Sequence, residues 1–200
     1  MTKVKICGLM EKEHVKVAVE AGTDAIGFVF APSKRQISLE KAQELAKDIP
    51  STVLKVGVFV NPTKEELEKA YHEVPLDLIQ FHGNESSDFV QSANYPSIKA
   101  LSIRTEEDVE RAKQYETDFF LFDAPQAGSG ITFDWQLMLG HEVPQEKVIL
   151  AGGLNVENVA EAIQRVKPYM VDVSSGVEKH GRKDEQLIRS FIQAAKDEER

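Results

Sequence analysis

The amino-acid sequence predicts an α/β fold, a single-domain (β/α)8 TIM barrel. Eight short runs rich in aliphatic and aromatic residues recur along the 200 residues, and amphipathic segments with helix start signals separate them. Strands that alternate with helices form parallel βαβ units. Alternation alone also fits an open doubly wound sheet, but eight near-equal units of about 25 residues favour closure into one barrel over residues 1–200.

Each predicted strand is a run of four to seven residues in which Val, Ile, Leu and Phe predominate. In chain order the runs are Val4–Cys7, Ala25–Phe30, Leu54–Val60, Leu78–Phe81, Ile98–Leu101, Phe119–Phe122, Val148–Ala151 and Met170–Val173. Their regular spacing is the pattern that a barrel of parallel strands requires.

Helix starts are predicted where a residue with a side-chain oxygen precedes an amphipathic segment. These starts are Ser38 before Leu39–Asp48, Thr63 with Glu66, Thr105 with Asp108, and Asn155 before Val156–Arg165. Gly22 has the position of a left-handed cap at the end of the first helix. The segment Asp184–Lys196 is predicted to form the last helix.

Strand alternation predicts which side chains face the helices and which face the barrel lumen. The apolar set, expected against the helices, is Val4 and Ile6, Val56 and Val58, Ile79 and Phe81, Ile98 and Ala100, and Val171 and Val173. The set expected in the lumen is Lys5, Cys7, Lys55, Gln80, His82, Lys99, Asp172 and Ser174. Because buried charges are costly unless they are paired, we expect Asp172 and neighbouring lysines to neutralise each other.

Composition excludes several classes of protein. A net charge of −9 argues against a nucleic-acid surface. The single cysteine, Cys7, cannot form an intrachain disulfide or a zinc cluster of cysteines. Residues 1–5 contain no long apolar run, so we expect no signal peptide, and no run of about 18 apolar residues predicts a membrane span. We therefore expect a cytoplasmic protein, where a free thiol stays reduced.

Two glycine-containing loops follow the last two predicted strands, at the end of the barrel where enzymes of this fold carry their active sites. They contain Gly152 and Gly153 after the seventh strand, and Ser174, Ser175 and Gly176 after the eighth. Backbone N–H groups in such loops bind phosphate without any charged side chain. For one loop alone, glycines that serve a tight turn are an equally good interpretation. Two loops on adjacent strand ends favour a phosphate site.

Three further residues at predicted strand ends carry usable chemistry. Cys7 is a candidate general base, although a lone cysteine in a strand is more often a small buried apolar residue. Asp123 is a candidate general acid or, alternatively, a cap. Arg35 can clamp a carboxylate with two parallel hydrogen bonds, or it can be a solvated surface residue. The loop 127–133 after Asp123 is either a cover over a ligand or a long connector.

Several motifs in a fixed order resemble one known family. They are Val4-Lys5-Ile6-Cys7-Gly8, Gly27-Phe28-Val29-Phe30, Ser33-Lys34-Arg35, Val56-Gly57-Val58-Phe59-Val60-Asn61, Gln80-Phe81-His82-Gly83, Gly128-Ser129-Gly130, Thr132-Phe133-Asp134-Trp135, Gly152-Gly153-Leu154 and Val171-Asp172-Val173-Ser174-Ser175-Gly176-Val177-Glu178. Together they span nearly the whole chain, and the first and last motifs are highly specific. The sequence thus resembles the phosphoribosylanthranilate isomerases of tryptophan biosynthesis.

The resemblance implies an aldose–ketose isomerase that converts N-(5-phosphoribosyl)anthranilate into the corresponding 1-deoxyribulose 5-phosphate. It implies that Asp123 opens the furanose ring as general acid and that Cys7, as thiolate, removes the C2 proton. Arg35 would hold the anthranilate carboxylate, and the two glycine loops would hold the phosphate. His82 and Asp172 would contact the sugar hydroxyls or orient their neighbours. No metal and no organic cofactor is expected, because the substrate nitrogen accepts the electrons.

Two other functions compete with this one. The aminoaldose isomerase of histidine biosynthesis shares the chemistry but uses two aspartates, whereas the first strand here ends in Cys7. A non-catalytic barrel that binds phosphorylated ligands would need the glycine loops but neither Cys7 nor Asp123. We expect a phosphorylated small molecule as substrate, no nucleic-acid or membrane partner, and a monomer or homodimer.

Overall fold

Eight parallel strands close into a barrel in chain order. The structure, a computed structural model, describes residues 1–125, 132–140 and 142–197. The strands are β1 Lys3–Cys7, β2 Ala25–Val29, β3 Leu54–Phe59, β4 Leu78–Phe81, β5 Ser97–Ser102, β6 Phe119–Asp123, β7 Val148–Leu150 and β8 Met170–Val173. Because β1 pairs with both β2 and β8, the sheet has no free edge. The predicted barrel is confirmed, and each strand lies within one residue of its predicted ends.

Helices lie between the strands and pack on the outside of the barrel. Within the described residues they are α1 Lys12–Glu20, α2 Leu39–Ala46, α3 Lys64–Glu73, α4 Ser87–Ala93, α5 Glu106–Glu110, α6 Val159–Val166 and α7 Glu185–Asp197. Short 3₁₀ turns at Arg111–Gln114, Trp135–Met138, Gln145–Lys147 and Ser175–Val177 complete the connections. None of the helices in the described part of the chain is long and apolar enough to cross a membrane.

The predicted helix ends are mostly confirmed. The Ser38 side chain accepts a hydrogen bond from the Lys41 N–H, and the pairs Thr63–Glu66 and Thr105–Asp108 form capping boxes. Gly22 has φ +88° and ends α1 in a left-handed cap. Asn155 accepts hydrogen bonds from the Glu157 and Asn158 N–H groups, as a capping side chain does, but these close a turn and α6 begins at Val159, three residues later than predicted.

Two apolar clusters divide the interior. The larger cluster joins outward strand residues to the helices and includes Val4, Ile6, Ile79 and Phe81. The smaller cluster draws its buried members from seven of the strands or their ends and fills the lumen. Its members are Ala25, Val56, Leu78, Ile98, Ala100, Leu121, Ile149, Ala151 and Met170. The lumen is therefore mainly apolar below the site.

The predicted facing of two strands is wrong. In β3 and β5, Val56, Ile98 and Ala100 point into the lumen, so Lys55 and Lys99 point towards the helices. The Lys55 ammonium pairs with Asp77 at 2.8 Å, and the Lys99 ammonium pairs with Glu85 at 2.7 Å. Both faces of a closed barrel's strands are buried, so apolar alternation does not distinguish them.

On β1 and β8 the predicted facing is confirmed. The Lys5 ammonium, which is fully buried, lies 2.9 Å from Asp172 Oδ1. The pairing of Lys5 with Ala25 and with Asp172 across the strands places all three on the lumen side. Asp172 thus neutralises one lysine, Lys5, whereas Lys55 and Lys99 find their carboxylates outside the lumen.

A short hairpin follows β8 at the carboxyl end of the barrel. It consists of β9 Glu178–Lys179 and β10 Arg182–Lys183, which pair antiparallel. The two residues between them, His180 and Gly181, have φ values of +52° and +78°. Positive φ at both positions is the geometry of a type I′ turn, and it folds β10 back onto the loop after β8.

Candidate active site

Cys7 ends β1 on the lumen side of the barrel mouth. Its register with Gly27 aligns it with Val56 and Leu78, which belong to the lumen cluster. A Cβ at Gly27 would lie 2.8 Å from the Cys7 sulfur, so only glycine leaves room for the thiol at that position. Cys7 is buried, at 7% exposure. The close packing against β2 holds the sulfur in one place.

Burial raises the pKa of the Cys7 thiol, while the ammonium groups of Lys5 and Lys183 act in the opposite direction. The carboxylate of Asp172 adds to the increase. The net effect in the free protein is a raised pKa for the Cys7 thiol, whereas a resting thiolate would require a lowered one. Burial thus disfavours the thiolate, and the two neighbouring cations reduce that penalty.

Asp123 ends β6 on the same side of the same barrel end. The pairing of Asp123 with Ser102, one step above the lumen residues Ala100 and Leu121, places it at the mouth. Asp123 Oδ1 accepts a hydrogen bond from the Ala124 N–H at 2.8 Å. Asp123 Oδ2 lies 3.3 Å from His82 Nε2. The carboxyl group is buried and held at both oxygens.

His82 is held in turn by Gln80, which lies on the lumen face of β4. The Gln80 amide nitrogen is 2.9 Å from His82 Nδ1. When this amide donates to Nδ1, neutral His82 carries its hydrogen on Nε2 and directs it at Asp123. Gln80 Oε1 is buried and has no hydrogen-bond partner within the described residues. Gln80, His82 and Asp123 thus form one continuous polar chain.

Arg35 lies beside Cys7, in the loop after β2. Its aliphatic stem covers Gly8, where a Cβ would be 2.7 Å from Arg35 Cδ. The guanidinium forms a two-point pair with Glu178, with Nε–Oε1 at 2.6 Å and Nη2–Oε2 at 3.1 Å. A ligand carboxylate would therefore be held through Nη1 and the second Nη2 hydrogen.

The glycine loops after β7 and β8 pack against each other between Cys7 and Asp123. A Cβ at Gly152 would lie 2.3 Å from the Ala124 nitrogen, and one at Gly176 would lie 1.9 Å from the Leu154 oxygen. Gly152 and Gly153 have φ values of +84° and +65°. No side chain fits at these glycines, so their backbone N–H groups are left uncovered between Cys7 and Asp123.

The structure places the predicted site residues in two connected groups. Cys7, Arg35, Asp172 and Ser174 lie on the β1–β8 side, where Ser174 Oγ donates to the Cys7 carbonyl at 3.1 Å. Asp123 and His82 lie on the β4–β6 side. The motif Gly128-Ser129-Gly130 and most of the predicted covering loop 127–133 lie outside the described residues.

Two site residues were not predicted as such. Glu178 receives Arg35, Lys34 and Lys183, and Lys183 is almost completely buried, with 5% of its side chain exposed. Burial alone would raise the pKa of Glu178. Hydrogen bonds and charge from Arg35 and Lys183 outweigh burial and lower this pKa to about 2. The sequence feature that could have indicated them is His180-Gly181, which suits a two-residue hairpin turn. Such a turn brings Lys183 opposite Glu178.

Comparisons with known proteins agree on one family. The family model for N-(5'-phosphoribosyl)anthranilate (PRA) isomerase matches residues 4–194. The N-(5'-phosphoribosyl)anthranilate isomerase of Streptococcus mutans serotype c is 54% identical over 196 residues, covering 98% of this chain and 100% of that protein. The enzyme of the same description from Listeria innocua serovar 6a is 49% identical, covering 96% and 97%.

Solved structures give the same result. Phosphoribosyl anthranilate isomerase from Thermotoga maritima has a TM-score of 0.91 at 41% identity, covering 98% of this chain and 100% of that one. A phosphoribosyl anthranilate isomerase in complex with reduced 1-(o-carboxyphenylamino)-1-deoxyribulose 5-phosphate has a TM-score of 0.89 at 41% identity, with the same coverage. Both similarities extend over the whole barrel.

Proposed function

The chain belongs to the N-(5'-phosphoribosyl)anthranilate isomerase family, and on that basis we propose that Cys7 and Asp123 are its general base and general acid. The protein is an isomerase of tryptophan biosynthesis that acts on a phosphorylated small molecule. It converts N-(5-phosphoribosyl)anthranilate into 1-(2-carboxyphenylamino)-1-deoxy-D-ribulose 5-phosphate. The observation that carries the site assignment is that both side chains lie on the lumen side of one barrel end, with the two glycine loops between them.

Asp123 starts the reaction as a proton donor. The protonated form of Asp123 gives its proton to the furanose ring oxygen while the bond from that oxygen to C1 breaks, and the carboxylate that results accepts hydrogen bonds from the Ala124 N–H and from His82. The lone pair of the anthranilate nitrogen forms the new C1=N bond, which gives an open-chain Schiff base. His82, which holds Asp123 Oδ2 at 3.3 Å, keeps the carboxyl group directed at the mouth. Acid catalysis of this kind contributes about 10²–10⁴-fold.

Cys7 continues the reaction as a base. The thiolate takes the hydrogen from C2, the C2–H electron pair forms the C1=C2 bond, and the C=N electrons return to nitrogen. The resulting enolamine tautomerises to the ketone as C1 gains a hydrogen and the C2 hydroxyl loses one. The proton that Cys7 took from C2 balances the one that Asp123 gave to the ring oxygen, so the formula is unchanged, and exchange with solvent restores both groups. Because the substrate nitrogen accepts the electrons, the chemistry needs only the two proton-transfer groups.

The remaining predicted residues bind the parts of the substrate that do not react. Arg35 holds the anthranilate carboxylate beside Cys7, and Gly152, Gly153, Ser174, Ser175 and Gly176 hold the phosphate through their loops. Anchoring both ends orients C2 against the thiol, and such positioning uses binding energy remote from the reacting atoms. His82 and Asp172 orient Asp123 and Lys5, respectively, and border the position of the sugar hydroxyls.

The test is a comparison of turnover in Cys7→Ser, Asp123→Asn and the wild type. The loss of anthranilate fluorescence is followed with substrate generated enzymatically in the cuvette. We expect each variant to lose about 10²–10⁴-fold in kcat. Affinity for reduced 1-(o-carboxyphenylamino)-1-deoxyribulose 5-phosphate, the ligand of a solved relative, is expected to change little, because neither side chain is assigned to the phosphate or the carboxylate.

The matched control is Asp118→Asn. Asp118 lies at the opposite end of β6 from Asp123, and its carboxylate accepts a hydrogen bond from the Ser97 N–H at 2.8 Å. We expect wild-type turnover from this variant. Wild-type turnover in Cys7→Ser would eliminate the thiol as base, and ligand binding without turnover in the wild type would favour a non-catalytic barrel.

Three broader assignments remain proposals. We propose one domain over residues 1–200, because the barrel closes between its first and last strands. A cytoplasmic location is supported by the free thiol and by the biosynthetic role of the family. We also propose a monomer or a homodimer, and light scattering coupled to size exclusion separates the two. A dimeric phosphoribosylanthranilate isomerase is known from Thermotoga maritima.

A further inference from the structure

Lys183 connects three parts of the barrel mouth. Its ammonium donates to the Ser174 carbonyl at 2.8 Å, to Ser174 Oγ at 3.2 Å and to Glu178 Oε1 at 3.1 Å. An ammonium has three hydrogens, and these three acceptors account for all of them. A lysine with 5% of its side chain exposed loses hydration, and the contacts replace it.

The partners of Lys183 lead directly to the proposed machinery. Ser174 Oγ donates to the carbonyl of Cys7 at 3.1 Å, and Glu178 forms the two-point pair with Arg35. Lys183 thus joins the strand end that carries the thiol, the loop assigned to phosphate, and the arginine assigned to the anthranilate carboxylate.

The charges around the thiol come from several elements. Lys5 of β1 pairs with Asp172 of β8 and is also hydrogen-bonded to the thiol, so it lowers the pKa of Cys7 more than Asp172 raises it. Lys183 of β10, Arg35 and the more exposed Lys34 share the single carboxylate of Glu178. Four cations therefore face two carboxylates on this side of the mouth, while Asp123 and His82 lie on the other side. The excess positive charge lies next to Cys7.

We propose that Lys183 is a positioning residue for the isomerisation, which fixes Ser174 and Glu178 and supplies the positive charge that lets Cys7 act as a thiolate. This inference rests on the proposed function, since it takes Cys7 as the base. The electrostatics agree in sign: Lys183 opposes the increase that burial causes in the pKa of Cys7. The pKa of Lys183 itself is lowered, mainly by burial, and the charges of Glu178 and Cys7 act against that decrease.

The test uses the fact that Cys7 is the only cysteine in the chain. The rate of alkylation by iodoacetamide, measured against pH on the folded full-length protein, reports the ionisation of this thiol alone. In Lys183→Met we expect the midpoint of that curve to move up by about one pH unit, because a neighbouring positive charge is removed. We expect kcat to fall at least tenfold, and Lys183→Arg to recover part of both effects.

The matched control is Lys179→Met on the same hairpin. The Lys179 side chain is 55% exposed and pairs with Asp184 at 2.9 Å, away from the thiol. We expect its alkylation curve and its kcat to equal those of the wild type. If Lys183→Met does not fold, Glu178→Gln is the variant to measure. Its alkylation midpoint should move down, because a carboxylate is removed from this cluster.

An alkylation curve for Lys183→Met that superimposes on the wild type would overturn the inference, and so would an unchanged curve for Glu178→Gln. Neither result depends on turnover. Failure of the proposed function would show itself separately, as wild-type activity in Cys7→Ser, so the two failures are distinguishable.

Discussion

Gly27 is the residue that determines where the Cys7 thiol can lie. A Cβ at this position would be 2.8 Å from the sulfur and 3.2 Å from the Cys7 Cα, and the second atom belongs to the backbone. We therefore expect Gly27→Ala to push the end of β1 aside, at a cost of about 1–3 kcal/mol in the free energy of unfolding. Because small displacements of a base are expensive, kcat should fall at least about tenfold.

Gly57→Ala is the control for this prediction, since Gly57 lies in the adjacent strand but faces the helices. Its Cβ would be 2.7 Å from Leu76 Cδ1 and 2.9 Å from Phe59 Cε2, so an alanine there disturbs side chains on the outside of the strand and not the thiol. Urea unfolding and initial-rate assays on both variants separate the effects. Equal losses of kcat in the two variants would show that the alanine at position 27 acts through stability and not through the thiol.

At the level of single residues, the ends of the predicted strands indicated candidate site residues, but the partners of individual side chains could not be predicted. Cys7 and Asp123 were predicted as candidates because each stands at the end of a predicted strand, and the structure puts both at the mouth. Lys183 was not found, because a two-residue strand has no alternation to read and its partners Ser174 and Glu178 are defined only by the folded hairpin. Its burial is a tertiary property of the chain.

At the level of elements, the number and order of strands followed from the sequence, but the facing of β3 and β5 did not. Both strands are buried on both sides, and their apolar residues fit either side equally well. The lysine in each strand determines the facing through its carboxylate, which comes from a loop: Asp77 for Lys55 and Glu85 for Lys99. Pattern alone does not identify such partners. The helix α4 was not predicted either.

The Lys99–Glu85 pair holds the loop that follows β4, and its loss should lower the free energy of unfolding. Glu85 also accepts hydrogen bonds from the N–H groups of Asn61 and Gly83, so its carboxylate is held from three sides. Lys99→Met would leave this carboxylate buried without its cation. We expect a loss of about 3–5 kcal/mol in the free energy of unfolding, measured by urea denaturation at pH 7.

Lys41→Met, which breaks an exposed pair with Glu44, serves as the comparison. Exposed pairs of this kind contribute little, so we expect no measurable change. The double variant Lys99→Met/Glu85→Gln should be more stable than Lys99→Met alone, because the unpaired charge is gone. A single variant as stable as Lys41→Met would contradict the view that this buried pair holds the loop.

At the level of the whole molecule, closure was predictable because eight strands of similar length recur at similar intervals. What joins the mouth into one unit was not predictable, because it depends on contacts between residues far apart in sequence. Arg35 and Glu178 are separated by 143 positions, and Lys5 and Asp172 by 167. Ion pairs of that range appear only when the barrel has closed.

The Arg35–Glu178–Lys183 contacts link the loop after β2 to the hairpin after β8, so their loss should weaken the closed barrel as a whole. The pKa of Glu178 is about 2, below its usual value of 4.5. A carboxyl group whose pKa is lowered on folding adds stability above its unfolded pKa and loses it as pH falls towards the folded value. Its contribution should be complete above about pH 4.5 and disappear towards pH 2.

We therefore expect Glu178→Gln to be less stable than the wild type by about 1–2 kcal/mol at pH 7, a figure that allows for solvent screening. The difference should hold down to about pH 4.5 and shrink below it, as urea unfolding at a series of pH values would show. Glu44→Gln, at an exposed pair, should give no such pH dependence. A difference for Glu178→Gln that stays constant from pH 7 to pH 3 would mean that shape, and not charge, holds the hairpin to the barrel.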